Sequence, residues 1–416
     1  METKTSKRTG TNREDNKVIF DTLDHPVVVN SFIENIKKGI NAGYRDFILD
    51  FSKIHPIFPN ASVPISGLIQ YYKNTGVVFS YIDNSDNIIS STQFFDPIEP
   101  QDGSQLKLKN TLNKIWKFSN HESVFWLVNS FLEELRRSDI FEEGVLVGIE
   151  WCVNEIMDNV LNHSSQSIGF IMGQIHKSKK HIAFTVFDYG QGIYNSLKDS
   201  TYAPRHPLDA ITLSVKEGVS RDKKNFQGNG IFGLHQIVKF NEGRLSITSN
   251  SAAYILKKDI AKSFKNVPTI SREVGCTTID FQLDYGNKIS ISDALKFGEK
   301  NYEIQNILLE SLENEYNQIH YKINERVTGS GTRPSGLRTR NDILNIIKET
   351  KKVIVLDFDE IVLITSSFAD EVIGKLLIEL GFYGFNNIIR LRNMNSTVQN
   401  IVQRSVSQRM AQSLNK

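Results

Sequence analysis

Glu155-Ile-Met-Asp-Asn159-Val-Leu-Asn162-His163 closes a helical pattern that begins near Gly144. Val145, Ile149, Cys152, Ile156 and Val160 recur at helical spacing, which predicts an apolar stripe facing a core. Glu155, Asn159, Asn162 and His163 share another side of the same helix. A solvated helix face usually carries Lys and Glu. A carboxylate beside neutral Asn and His groups is better suited to contacts with a ligand and with the water shell of a metal.

Downstream, Ile182–Phe187 is an apolar strand that ends in Asp188-Tyr189-Gly190-Gln191-Gly192. An ionised aspartate at a strand end can accept a hydrogen bond from an exocyclic amine, and glycine allows close backbone approach. Further on comes Gly228-Asn229-Gly230-Ile231-Phe232-Gly233-Leu234. Ile231, Leu234, Ile237 and Val238 follow at helical spacing, so these glycines open a helix whose first amides can hold phosphate. A nicotinamide dinucleotide fold would need a strand directly before the first glycine. Arg221–Gln227 is a polar loop, which argues against that fold. Arg244–Thr248 and Thr277–Leu283 are two further strands.

These elements, in this order over about Glu122 to Leu283, resemble the motifs of the Bergerat-type ATPases. That fold is shared by gyrase-type topoisomerases, heat-shock chaperones, sensor histidine kinases and MutL repair proteins (GHKL). The stretch Glu155–His163 is most similar to the version in anti-sigma-factor kinases and histidine kinases. The resemblance implies ATP and Mg²⁺ as cofactors. Glu155 would be the catalytic residue, polarising a water or an acceptor hydroxyl, and Asn159 would ligate Mg²⁺. Asp188 would bind the adenine amine, with Thr277 in support. Gly190, Gly192 and Ile193 would pass the base. Gly228, Asn229, Gly230, Ile231, Phe232 and Gly233 would wrap the phosphates. About Tyr194 to Gln227 would form an ATP lid. Lys223 and Lys224 are either lid cations for the γ-phosphate or part of a solvated loop, and His163 either touches phosphate or caps its helix. His121 opens the helix Glu122–Arg137 and reads as a surface or capping residue, not as the phospho-acceptor of a paired helical hairpin.

Blocks of strand, helix, strand flank this region. Val353–Phe358 and Ile364-Thr365-Ser366-Ser367-Phe368-Ala369-Asp370-Glu371 resemble the STAS-like family of anti-anti-sigma factors. There an Asp-Ser-Ser segment carries a phosphorylated serine. Here Thr365 replaces the aspartate, so Ser366 and Ser367 are candidate acceptors or simply helix caps. The first block is similar to the same fold, with Pro59-Asn60-Ala61-Ser62 at the equivalent turn. Leu49-Asp50-Phe51 and Leu356-Asp357-Phe358 each end a buried strand, which suggests a degenerate duplication. The expected fold is therefore α/β, a central α/β-sandwich Bergerat ATPase domain flanked by two STAS-like α/β domains. The expected boundaries are a disordered lead-in at 1–17, a STAS-like domain at 18–104, the GHKL domain at 105–286, a helical linker at 287–316, with Tyr302–Tyr316 as its amphipathic helix, and a STAS-like domain at 317–416. Thr328–Gly336 is expected to be a turn-rich loop.

Composition sets the outer limits. Hydrophobic residues are 39% and charged residues 23%, an ordinary balance for a folded soluble protein. A net charge of +2 does not indicate nucleic acid or membrane as a partner. Cys152 and Cys276 lie in apolar segments and read as reduced core residues of a cytoplasmic protein. The expected function is an ATP-dependent regulatory protein in which hydrolysis and lid closure switch partner interactions through STAS-like modules. Bacterial signalling and anti-phage defence are both fitting settings. The alternative is an anti-sigma-like serine/threonine kinase acting on a STAS-domain serine. A separately encoded protein is the expected partner, and a homodimer is a further candidate.

Overall fold

A computed structural model describes residues 10–84, 86–102, 110–219, 230–271, 274–297, 300–301, 309, 312–326, 332–350 and 352–414. The chain is a mixed α/β protein with several sheets. It divides into two compact units, Met1–Phe131 with Gly148–Tyr302, and Leu132–Val147 with Glu303–Lys416. Among the described residues no helix is long and apolar enough to cross a membrane.

The first unit holds two larger sheets. In one, β1 (Thr11–Glu14) pairs antiparallel with β2 (Lys17–Phe20), and β2, β3 (Asp46–Asp50) and β4 (Val78–Ile82) run parallel. Thr11–Lys17 is thus a hairpin and not part of a disordered lead-in. Its sequence lacks apolar alternation because β1 is held by polar groups, with Thr11 Oγ1 bonded to Ser31 and Asn35. The helices Val27–Asn41 and Pro59–Asn74 make the crossovers that parallel strands require.

The other sheet is antiparallel throughout. Its strands are β5 (Trp116–Phe118), β6 (Gly169–His176), β7 (His181–Asp188), β8 (Arg244–Ser249), β9 (Ala252–Lys257), β10 (Ile260–Lys265) and β11 (Thr277–Asp284). The order is β10-β9-β8-β11-β7-β6-β5. Successive residues of a strand face opposite sides. Phe184 of β7 meets Phe131 of the helix His121–Ser138 edge-on at 5.2 Å. Phe187 points to the other side, against Gly67 of the Pro59–Asn74 helix, where any Cβ would collide with its ring. That helix is buried almost all round, as expected of one lying between two layers. Phe170, Met172 and Phe187 therefore join one hydrophobic core with Val18, Phe47 and Leu49. The blocks expected as separate domains at 18–104 and 105–286 share this core, because both faces of one helix are apolar.

The expected helical linker has a different form where it is described. Ile291–Ala294 is a single helical turn, β12 (Lys296–Phe297) and β13 (Lys300–Asn301) form a small hairpin, and Glu313 bridges to Ile319. Residues 302–308 and 310–311 of the expected helix lie outside the described residues.

The second unit has three parallel strands, β14 (Ile319–Lys322), β15 (Ile354–Asp357) and β16 (Ile389–Arg392). Its first crossover helix, Arg333–Thr350, begins inside the expected Thr328–Gly336 loop. Pro334 suits a first helical turn, so a turn-like composition there marks a helix start. Leu132–Val147 also belongs to this unit, although its sequence reads as part of the preceding block. The Arg136–Glu349 ion pair (3.0 Å) is almost fully buried, and Asn345 accepts from Phe141 N–H and donates to Asp139 O.

The two parallel sheets repeat each other in detail. Asp50 accepts from Ser52 N–H (3.0 Å) and pairs with Lys17 of the neighbouring strand (2.7 Å). Asp357 accepts from Asp359 N–H (2.9 Å) and pairs with His320 (2.7 Å). Phe51 N–H donates to Ile82 O (2.9 Å), and Phe358 N–H donates to Arg392 O (3.0 Å). The next helices begin at Pro59 and Ser366, at equal distance from the two aspartates. These matched contacts support an internal duplication.

Candidate functional site

The helix Val145–His163 places Cys152, Ile156 and Val160 in the core, as the stripe predicts. Glu155 and Asn159 are half-buried on its other side, and Asn162 is exposed. Glu155 and Asn159 face the start of the helix Gly230–Phe240. A Cβ on Gly230 would overlap Glu155 Oε2 and lie 3.4 Å from Asn159 Nδ2. Only glycine lets the helix start come this close to the carboxylate. Burial, reinforced by the charge of Asp158, pushes the Glu155 carboxyl up to about 7. His121 Nδ1 lies 3.4 Å from Asp158 Oδ1, so His121 meets this helix from its exposed side.

The second element is the end of β7. Because β11 lies between β7 and β8, Thr277 stands opposite Asp188 on one side and Ser249 on the other. Asp188 is buried, which pushes its carboxyl up to about 7, while hydrogen bonds from Gly190 N–H (2.8 Å) and the Thr277 hydroxyl act the other way. A carboxylate this desolvated favours a ligand that donates a hydrogen bond to it.

The loop after Asp188 ties these two elements together. Gly190 passes so close to Ser164 O that no side chain fits there, and Gln191 N–H donates to the same carbonyl (3.0 Å). Gln191 Nε2 donates to His163 O (2.7 Å). Gly192 has φ +77° and opens the short helix Gly192–Leu197. Ile193 N–H donates to Ser249 Oγ (2.9 Å) and Tyr194 N–H to Asn250 Oδ1 (3.0 Å). Ser164, Ser249 and Asn250 were missed in the sequence. Ser249 and Asn250 show only as a polar pair after the Arg244–Thr248 strand, and Ser164 only as the residue after His163. Cys276 also differs from a plain core residue. Its φ is +41°, and its carbonyl accepts from Ser249 Oγ (3.1 Å).

The expected lid is only partly separate from the fold. Gly192–Leu197 and Pro207–Ser214 are helices, with Leu197, Ala210 and Ile211 buried. Apolar Leu208, Ile211 and Leu213 lie in that segment, so part of the expected lid packs against the fold. Lys223, Lys224, Gly228 and Asn229 lie outside the described residues. Ile231 and Phe232 are half-buried in the first turn of the Gly230–Phe240 helix. Gly233 is a packing position, since a Cβ there would strike the Trp151 ring. Helix packing alone is enough to require glycine there.

Residues 335–399 match the model of a STAS-like domain of unknown function, DUF4325. The match lies in the second unit and does not reach Glu155, Asp188 or Thr277. No curated protein matches the chain. Within the STAS-like domain, Thr365 caps the helix by accepting from Phe368 N–H (3.2 Å). The cap expected at Ser366 or Ser367 is thus supplied by Thr365. Ser366 is exposed, and Ser367 Oγ lies 3.0 Å from Thr365 Oγ1. In the first unit Pro59 and Asn60 stand at the positions of Ser366 and Ser367, and Ser62 in the same turn is fully buried and donates to Phe58 O (2.9 Å).

Proposed function

We propose that the first unit is a Bergerat-type nucleotide-binding module that takes Mg-ATP between the Glu155 helix and the Asp188 corner. The observation that carries this is the meeting of Gly230 with Glu155 and Asn159. A carboxylate, a side-chain amide and the start of a helix converge where a phosphate chain could lie. Among the described residues no group of three or more His, Cys, Asp or Glu forms a metal cage. A single side-chain amide ligand such as Asn159 suits Mg²⁺ completed by phosphate oxygens and water, which is how this ion is usually held. When bound, the ion would neutralise phosphate charge.

In this proposal Glu155 orients and deprotonates the attacking hydroxyl or water. Its burial makes it a base matched to neutral pH. Asp188 fixes the base, and Thr277 and Gly190 hold the carboxylate in place. Nucleotide state is then communicated to a separate protein partner, with the STAS-like domain as interaction module.

A second outcome of the same chemistry is favoured by one observation, the exposed Ser366 hydroxyl at a helix start. There the acceptor is a serine, in cis or on a partner. Incubation with γ-labelled ATP separates the two. Free labelled phosphate alone supports hydrolysis, whereas label retained on serine supports phosphoryl transfer.

A further inference from the structure

Outer strands expose unpaired backbone groups, and proteins usually guard them with charge. In the three larger sheets, β1 carries Arg13, β5 Lys117, β10 Lys262 and Lys265, β14 Lys322, and β16 Arg390 and Arg392. The outer strand β4 reads Val78-Phe79-Ser80-Tyr81-Ile82 and has no charged residue. Val78 is 64% exposed, Tyr81 41% and Ile82 42%. A parallel sheet is normally covered on both faces, so this strand is unusually bare.

The internal repeat sharpens the contrast. Ile82 pairs with Asp50 as Arg392 pairs with Asp357, so Ile82 and Ser80 occupy the positions of Arg392 and Arg390. One copy of the same edge is guarded by two arginines, and the other is left neutral. Among the described residues no strand pairs with the outer edge of β4, and an uncharged run of β-branched and aromatic residues on such an edge favours strand addition.

The order of residues identifies the occupant. Read in either direction, β4 is β-branched, aromatic, serine, aromatic, β-branched. We propose that β4 pairs antiparallel with β4 of a second copy of this chain, about a two-fold axis through Ser80. Val78 then faces Ile82 of the second copy on one side of the sheet. Phe79 faces Tyr81 on the other, and Ser80 meets Ser80. All three pairs are self-complementary, as a two-fold interface requires. The parallel and antiparallel strands of two copies become one eight-stranded sheet. Tyr81 is already held for this by its stack on Phe95 at 4.1 Å.

Sedimentation velocity of the full chain over a concentration series tests the proposal. The parent protein is expected to dimerise. Ser80→Arg and Ile82→Arg, which copy the guarded edge, should each weaken self-association at least about tenfold. Their side chains are on the surface, so far-UV circular dichroism and melting temperature should stay near parental values. Ser80→Cys, placed on the axis, should give a disulfide-linked dimer on oxidation that the parent does not give. A parent that is monomeric throughout, or a dimer that Ser80→Arg leaves intact, would overturn the proposal.

Discussion

Glu155 Oε2 occupies the space in which a side chain on residue 230 would begin. The first glycine in the described part of the glycine-rich segment therefore lies directly against a carboxylate from another helix. Gly230→Ala should push that carboxylate away and lower ATP turnover by about tenfold or more, with a stability cost of about 1–3 kcal/mol from overpacking. Steady-state phosphate release and thermal melts check both parts. Parental turnover in this variant would separate Glu155 from the chemistry.

The acidity of Glu155 sets a pH dependence. Its carboxyl lies near 7 because it is buried beside Asp158. A general base works when deprotonated, so kcat/KM for hydrolysis should rise through about pH 7 and level off above it. Glu155→Gln should be slow at every pH, with nucleotide binding retained.

Asp188 predicts a stability effect of opposite appearance. Its folded-state pKa is raised from 3.8 to about 7. The folded protein then holds a proton that the unfolded chain has lost. Stability from this group is full below the unfolded pKa and falls as pH rises through about 7. Asp188→Asn should gain melting temperature relative to the parent between about pH 4 and pH 8, by at most about 4 kcal/mol in free energy. Asp50, Asp83, Asp357 and Asp370 have lowered pKa values and act in the other direction in acid. The difference between variant and parent isolates Asp188.

The shared core of the first unit also makes a prediction. Gly67→Ala places a methyl group into the rings of Phe187 and Phe170. It should destabilise this unit by about 1–3 kcal/mol. If the helix Pro59–Asn74 were docked only loosely on β6 and β7, a denaturant midpoint unchanged by this variant would reveal it.

The parts of the candidate site that the sequence makes legible are local. A helix face carrying Glu155 and Asn159, a strand ending in Asp188 and a glycine-opened helix each leave a periodic or compositional trace. What was not legible depends on tertiary partners. Gly230 and Gly233 look alike in sequence, yet one clears space for Glu155 and the other for Trp151. Ser249 and Asn250 matter because β11 inserts between β7 and β8, an order that no local pattern encodes. The hairpin β1–β2 was hidden because its outer strand is polar. The duplication was visible as Leu-Asp-Phe in two places, and the matched pairs of Asp50 with Lys17 and Asp357 with His320 give it a physical basis.

The most direct test of the central claim is calorimetric titration of the full chain with Mg²⁺ and a non-hydrolysable ATP analogue. The parent and Glu155→Ala should bind at one saturable site. Asp188→Asn should bind at least about tenfold to a hundredfold more weakly, because a buried acceptor for the amine is replaced by a group that also presents a donor. No binding by the parent, or equal affinity in Asp188→Asn, would contradict a nucleotide site built on Glu155, Asn159 and Asp188.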